Sequence, residues 1–149
     1  MMEQLQANPF EKQTYERLVD FGHTFSPSLE AKSDFLITHG DAVAIDIALS
    51  AALSLEIGML ELSELGRILG TLLDLGLPIY STLLDVDLCR EALECASLHR
   101  GGSCNLVVPE KIGVGQFVKN SQTITDLQLS KSLGRISNFS AKYHVAKFK

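Results

Sequence analysis

Much of this chain repeats its apolar positions every three to four residues, the period of an α-helix. Thr38–Gly58 is the longest such stretch. It is rich in Ala, Leu and Ile, apolar nearly all round, and ends at a glycine suited to a left-handed helix terminus. A helix with no polar face belongs in the middle of a fold. Leu62–Leu75 places Leu62, Leu65, Leu69, Leu72 and Leu73 on one stripe before Gly76-Leu77-Pro78 stops it. Val86–Leu98 points Leu88, Cys89, Ala92, Leu93 and Ala96 inward. Two shorter helices are expected near the start. One runs from Pro9 to Val19 with Asn8 as its cap, and one begins at Ser26-Pro27, with Ser26 as cap and Pro27 in the first turn. Asp20–Phe25 lies between them without a period.

Gly101-Gly102 interrupts the helical pattern. Asn105–Val108 and Gly115–Val118 read as two short strands joined by a turn, and Ile124–Ile136 reads as a last helix. Residues 137–149 carry no usable pattern. The expectation is a mainly α domain with a short β-hairpin near residues 105–118.

Composition supports one globular domain. The chain has 149 residues, 46% hydrophobic and 21% charged, enough apolar material for a core. The net charge of −5 is unevenly spread. Residues 120–149 hold five basic side chains against Asp126, which makes that stretch +4 and leaves −9 on the rest. An acidic body argues against nucleic acid as a partner. The basic stretch reads as a solvated chain end. Cys89, Cys95 and Cys104 lack metal-finger spacing and read as reduced thiols in a cytoplasmic compartment. The polar start is no secretory signal. Asp46, Glu56 and Glu61 interrupt the most apolar run, so it reads as a buried helix and not as a membrane span.

Candidate chemistry rests on histidine. His23 follows Gly22, and His39 precedes Gly40, each beside the start of a helical segment and next to a small residue. Imidazole is a common ligand for zinc and similar ions. Taken alone, the pair suits either a metal site or the capping and hydrogen bonding that single histidines commonly perform. His144 is assigned no chemical role.

The wider pattern is more specific. Asp20-Phe21-Gly22-His23-Thr24-Phe25-Ser26-Pro27, followed by His39-Gly40-Asp41-Ala42-Val43-Ala44-Ile45, resembles the signature of the dehydroquinate synthase superfamily of sugar-phosphate cyclases. The two histidines stand 16 positions apart, the interval between the metal-binding histidines of that family. The resemblance continues through Gly76-Leu77-Pro78, His99-Arg100-Gly101-Gly102, Leu106–Pro109 and Ile112-Gly113, and covers about residues 8–119. Two departures turn it away from dehydroquinate synthase proper. Pro27 replaces a second histidine, and Asp20 replaces an asparagine. The combination is similar to the branch acting on sedoheptulose 7-phosphate, the 2-epi-5-epi-valiolone and desmethyl-4-deoxygadusol synthases.

The resemblance implies a helical C-terminal domain that holds a Zn2+ or Co2+ ion through His23 and His39. It implies NAD as the hydride carrier and a phosphate-eliminating cyclisation of a sugar phosphate. Asp20 and Asp41 would be catalytic, with Asp41 one methylene shorter than the family's glutamate. His99 and Arg100 would bind the substrate phosphate. Plainer roles exist for all four: a helix-terminal cap for Asp20, a second-turn helix charge for Asp41, and a solvated helix end for His99 and Arg100.

The family's nucleotide-binding domain, with its glycine-rich turn and third metal ligand, finds no counterpart in this sequence. The domain reading is therefore residues 8–119 as the metal and substrate domain and 120–149 as a divergent basic tail, with the N-terminal NAD-binding domain absent. Such a chain would be inactive alone and prone to self-association through uncovered apolar surface. It would be part of a full cyclase, a subunit completed by a homodimer mate or a separate NAD-binding half, or a relic that binds metal or sugar phosphate. A 3-dehydroquinate synthase-type activity is the alternative chemistry.

Overall fold

A computed structural model describes residues 18–98 and 106–147 of the chain. The predicted Pro9–Val19 helix falls largely outside them, and so do the Gly101-Gly102 break, His99, Arg100 and Cys104. Among the described residues are five α-helices: α1 (Ser26–Lys32), α2 (His39–Glu56), α3 (Leu62–Asp74), α4 (Val86–Leu98) and α5 (Asp126–Lys147). A hairpin of β1 (Leu106–Lys111) and β2 (Val114–Val118) lies between α4 and α5. Single 3-10 turns occupy Leu18–Asp20 and Ser121–Thr123.

Helix α2 is the axis of the fold. α1, α3, α5 and β1 all pack on it, so Ala42, Ile45, Ala48, Leu49, Ala51, Ala52 and Leu53 are buried around its circumference. Thr38 starts it in the extended conformation and accepts a hydrogen bond from the Asp41 N–H through its side chain. The small residues inside α2 admit close neighbours. Ser54 Oγ donates to Pro109 O at 2.5 Å, which ties the helix to β1.

The amphipathic helices then cover this axis. α3 buries Leu65, Leu69 and Leu73, while Leu62, expected on the same stripe, is 64% exposed at the first turn. α4 buries Leu88, Cys89, Ala92 and Leu93 as expected. The strands pair antiparallel from Leu106↔Val118 to Lys111↔Val114, with a bulge between Pro109 and Lys111.

Helix α5 runs eleven residues beyond the expected end at Ile136, to Lys147. Its inward stripe is Leu129, Ser132, Ile136, Phe139 and Tyr143, the first three buried and the two aromatics packed against the core. Arg135 pairs with Glu56 at the end of α2, and the Tyr143 hydroxyl donates to Asp74 at the end of α3. The Arg90 guanidinium joins α4 to the start of α5 through Asp126 and the Ile124 carbonyl. No helix among the described residues is long and apolar enough to cross a membrane.

Candidate metal centre

The two histidines that lie 16 residues apart in sequence meet in space. Their ring centroids are 5.6 Å apart, with ring planes tilted by 51°. Each is placed by a different local device. His23 sits in a tight turn between the Leu18–Asp20 3-10 turn and α1, closed by the His23 N–H donating to Asp20 O at 2.9 Å. Gly22 makes that turn possible. Its φ of +83° lies in the left-handed region, and a Cβ there would stand 2.9 Å from Ile47 Cγ1 and 3.1 Å from Val43 Cγ1. The glycine thus lets the turn lie directly on α2. His39 is the first residue of α2, presented at the surface by the Thr38 cap.

Both imidazoles are exposed, and both are held through Nδ1. His23 Nδ1 lies 3.2 Å from Phe21 O, an atom that only accepts, so Nδ1 carries the proton. His39 Nδ1 lies 2.9 Å from Glu30 Oε1, a carboxylate that likewise only accepts when ionised. A neutral ring held this way has its lone pair on Nε2, where it can face a metal ion. A metal-ligating histidine commonly has its other nitrogen bound in this way by a carbonyl or carboxylate. The spacing also fits. Two imidazoles on one tetrahedral zinc, with Zn–N of about 2.0–2.1 Å, would have centroids about 5 Å apart. Among the described residues no group of three His, Cys, Asp or Glu side chains could hold a metal ion. The pair by itself offers two donors.

The remaining candidates divide. Asp20 is half-buried at the end of the 3-10 turn, and its carbonyl is what receives the His23 N–H. Asp41 lies in the first turn of α2, where its N–H is capped by Thr38 and an acidic side chain suits the helix dipole. Its carboxylate makes no hydrogen bond to another described residue. His99 and Arg100 lie outside the described residues. Pro27, four residues after His23, is exposed in the first turn of α1. The expected cap at Ser26 differs: Phe25 stands at the N-cap position without a side-chain bond, and Ser26 is the first helical residue, its hydroxyl donating to Gly22 O at 2.8 Å.

Two residues that the sequence reading passed over belong to this assembly. Glu30, on α1, holds the His39 ring. Asp46, on α2, is fully buried, and its Oδ2 accepts from the Thr24, Phe25 and Ser26 N–H groups at 2.8, 2.5 and 2.8 Å. Its Oδ1 accepts from Ser50 Oγ at 3.0 Å. Burial raises the Asp46 pKa above the ordinary carboxylate value, and the four hydrogen bonds pull against that rise. A lone Asp inside an apolar helix was the available sequence signal. Glu30 left none, because its partner is nine residues away across a turn.

Comparison with known proteins gives the family and the fold. Residues 2–95 match the family described as 3-dehydroquinate synthase C-terminal. The chain is 43% identical over 120 residues to a 2-epi-5-epi-valiolone synthase of Streptomyces hygroscopicus subsp. jinggangensis, an alignment covering 80% of this chain and 29% of that protein. It is 34% identical over 105 residues to the demethyl-4-deoxygadusol synthase of Trichormus variabilis, covering 70% of this chain and 26% of that one. Among solved structures, ValA, the 2-epi-5-epi-valiolone synthase of S. hygroscopicus subsp. jinggangensis with NAD+ and Zn2+ bound, is similar with a TM-score of 0.84 and 39% identity. That likeness covers 93% of this chain and 37% of ValA. The chain spans about a third of the length of the relatives it matches.

Proposed function

Because the chain belongs to the 3-dehydroquinate synthase C-terminal family, we propose that it is the metal- and substrate-holding part of a sugar-phosphate cyclase acting on sedoheptulose 7-phosphate to give a valiolone- or gadusol-type cyclitol. The observation that carries this reading is the pair of imidazoles at 5.6 Å, each with Nδ1 engaged and Nε2 left as the ligating atom. His23 and His39 would hold a zinc-type ion, which supplies Lewis-acid polarisation of substrate oxygens when bound. The third donor and the NAD seat come from residues outside those described, on the same polypeptide, a homodimer mate or a separate nucleotide-binding half. The described residues alone give two donors, so they hold metal weakly and turn nothing over.

The chain's own side chains then have distinct tasks. Glu30 fixes the rotation of the His39 ring. The Asp20 carboxylate, on the residue whose carbonyl closes the His23 turn, would meet a sugar hydroxyl. Asp41 is a shorter acid at the foot of the His39 helix, and His99 with Arg100 would meet the phosphate, for which a guanidinium is the better donor. Pro27 offers no group for proton transfer four residues after His23. This supports a substrate other than the carboxylated precursor of dehydroquinate.

Two measurements test the reading. Zinc titration by competition with a chromophoric chelator should show binding that is lost in a His23→Ala/His39→Ala chain. Equal affinity in the two would refute the metal site. Mixed with the nucleotide-binding part of a valiolone synthase, NAD and zinc, the chain should release phosphate from sedoheptulose 7-phosphate. Release only from the dehydroquinate precursor would reassign the substrate.

A further inference from the structure

Asp46 is the one charged side chain in the buried set of the described residues, and it lies two helical turns beyond His39 on the same helix. The three N–H groups it receives belong to Thr24, Phe25 and Ser26, the residues that immediately follow His23. The turn is thus fastened to α2 just after the imidazole. Just before it, Gly22 lies against Val43 and Ile47, which flank Asp46 on α2. No other hydrogen bond among the described residues joins residues 21–26 to α2. Ser50, one turn further along, keeps the carboxylate aimed by donating to its second oxygen.

We propose that Asp46 is a positioning residue: its carboxylate fastens the turn carrying His23 to the helix that begins with His39, and so sets the separation at which the two imidazoles meet a metal ion. A carboxylate suits this task because one oxygen can accept several N–H groups at once, and a charged acceptor makes stronger bonds than a neutral one. An apolar side chain at the same position would leave three backbone donors unpaired, and the turn would move to find water. The inference rests on the reading that His23 and His39 are metal ligands.

The experiment compares the full chain with D46N, D46L and L129A. The last removes buried side chain from α5, which takes no part in the Asp46 hydrogen bonds, and serves as a control for lost stability. Two readouts are taken on folded protein: zinc affinity by chelator competition, and the imidazole resonances of His23 and His39 in long-range 1H–15N spectra. D46L should lower zinc affinity by about 10- to 100-fold, the range seen when a partner that orients a ligand is lost, and should move the His23 resonances. D46N keeps an oxygen for the three N–H groups and should fall between D46L and the natural chain. L129A should leave both readouts where they were. If D46L does not fold, D46S, which admits water beside the orphaned donors, is read in the same way. The proposal is overturned if Asp46 variants match L129A in both readouts. If the natural chain binds zinc no better than the His23→Ala/His39→Ala chain, the metal reading fails instead, and the His23 resonances still report whether Asp46 places the ring.

Discussion

Replacing Gly22 with Ala should cost more than the same change at any open turn glycine, and the structure says by how much. Gly22 has φ +83° and Gly58 has φ +81°, so an alanine at either incurs a left-handed backbone cost of about 1–2 kcal/mol. At Gly58 the new Cβ meets nothing within 4 Å. At Gly22 it meets Ile47 Cγ1 at 2.9 Å, Val43 Cγ1 at 3.1 Å and the Val43 carbonyl oxygen at 3.3 Å. Overpacking of that kind adds about 1–3 kcal/mol. Gly22→Ala should therefore lose about 2–5 kcal/mol, a fall in Tm of about 5–15 °C for a chain of this size. Gly58→Ala should lose no more than its backbone cost. Urea unfolding of the two variants side by side isolates the contact with α2. Lifting the turn relieves the collision with the Val43 carbonyl as well as with both side chains, so zinc affinity should drop in Gly22→Ala and hold in Gly58→Ala. Equal stability losses, within about 0.5 kcal/mol, would refute the claim that the His23 turn lies directly on α2.

Glu30→Gln should weaken zinc binding by up to about 10-fold and Glu30→Ala by about 10- to 100-fold, measured by chelator competition, since both loosen the His39 ring. Arg135→Ala should destabilise the fold by about 1–3 kcal/mol in urea unfolding, because it strands the largely buried Glu56 carboxylate without its partner. Burial pushes the Cys89 thiol from 9.0 up to about 12, with Asp85 and Asp46 adding to the rise. The unfolded chain therefore ionises first, and this contribution to stability is whole below pH 9 and lost progressively towards pH 12. At pH 10 the loss is about 1.4 kcal/mol, and a Cys89→Ala chain should show a correspondingly flatter alkaline decline in thermal unfolding. In the same native protein, exposed Cys95 should react with a thiol reagent well before Cys89.

Local pattern carried the helices, since α2, α3 and α4 each declare themselves by composition and period. It failed where the determinant was a pairing. The second half of α5 went unseen because its inward stripe includes Ser132, a polar residue that is wholly buried. Its aromatics Phe139 and Tyr143 are also diluted by serines and lysines. Leu62 was over-read because the stripe extends past the point where neighbouring elements cover it. The histidine pair was visible through its interval. The groups that place it were not: Asp46 looked like an interruption in an apolar run, and its four donors come from a turn about twenty residues earlier and from Ser50. Glu30 looked like an ordinary helix-surface acid. Both act through folded distance, which a linear pattern does not record.

The clasp of α5 over α2 and α3 also imposes an order on the chain's manufacture. Glu56 waits for Arg135, 79 residues later, and Asp74 waits for Tyr143, 69 residues later. At a synthesis rate of about 5–20 residues per second, the apolar flank of the central helix stays open for roughly 4–16 s before its last cover emerges. Throughout that interval the two histidines can already be in register, while the core behind them is still unsealed. The nascent chain is thus most exposed to aggregation after its histidine pair has formed, and a chaperone that engages it should bind the face of α2 that α5 later occupies.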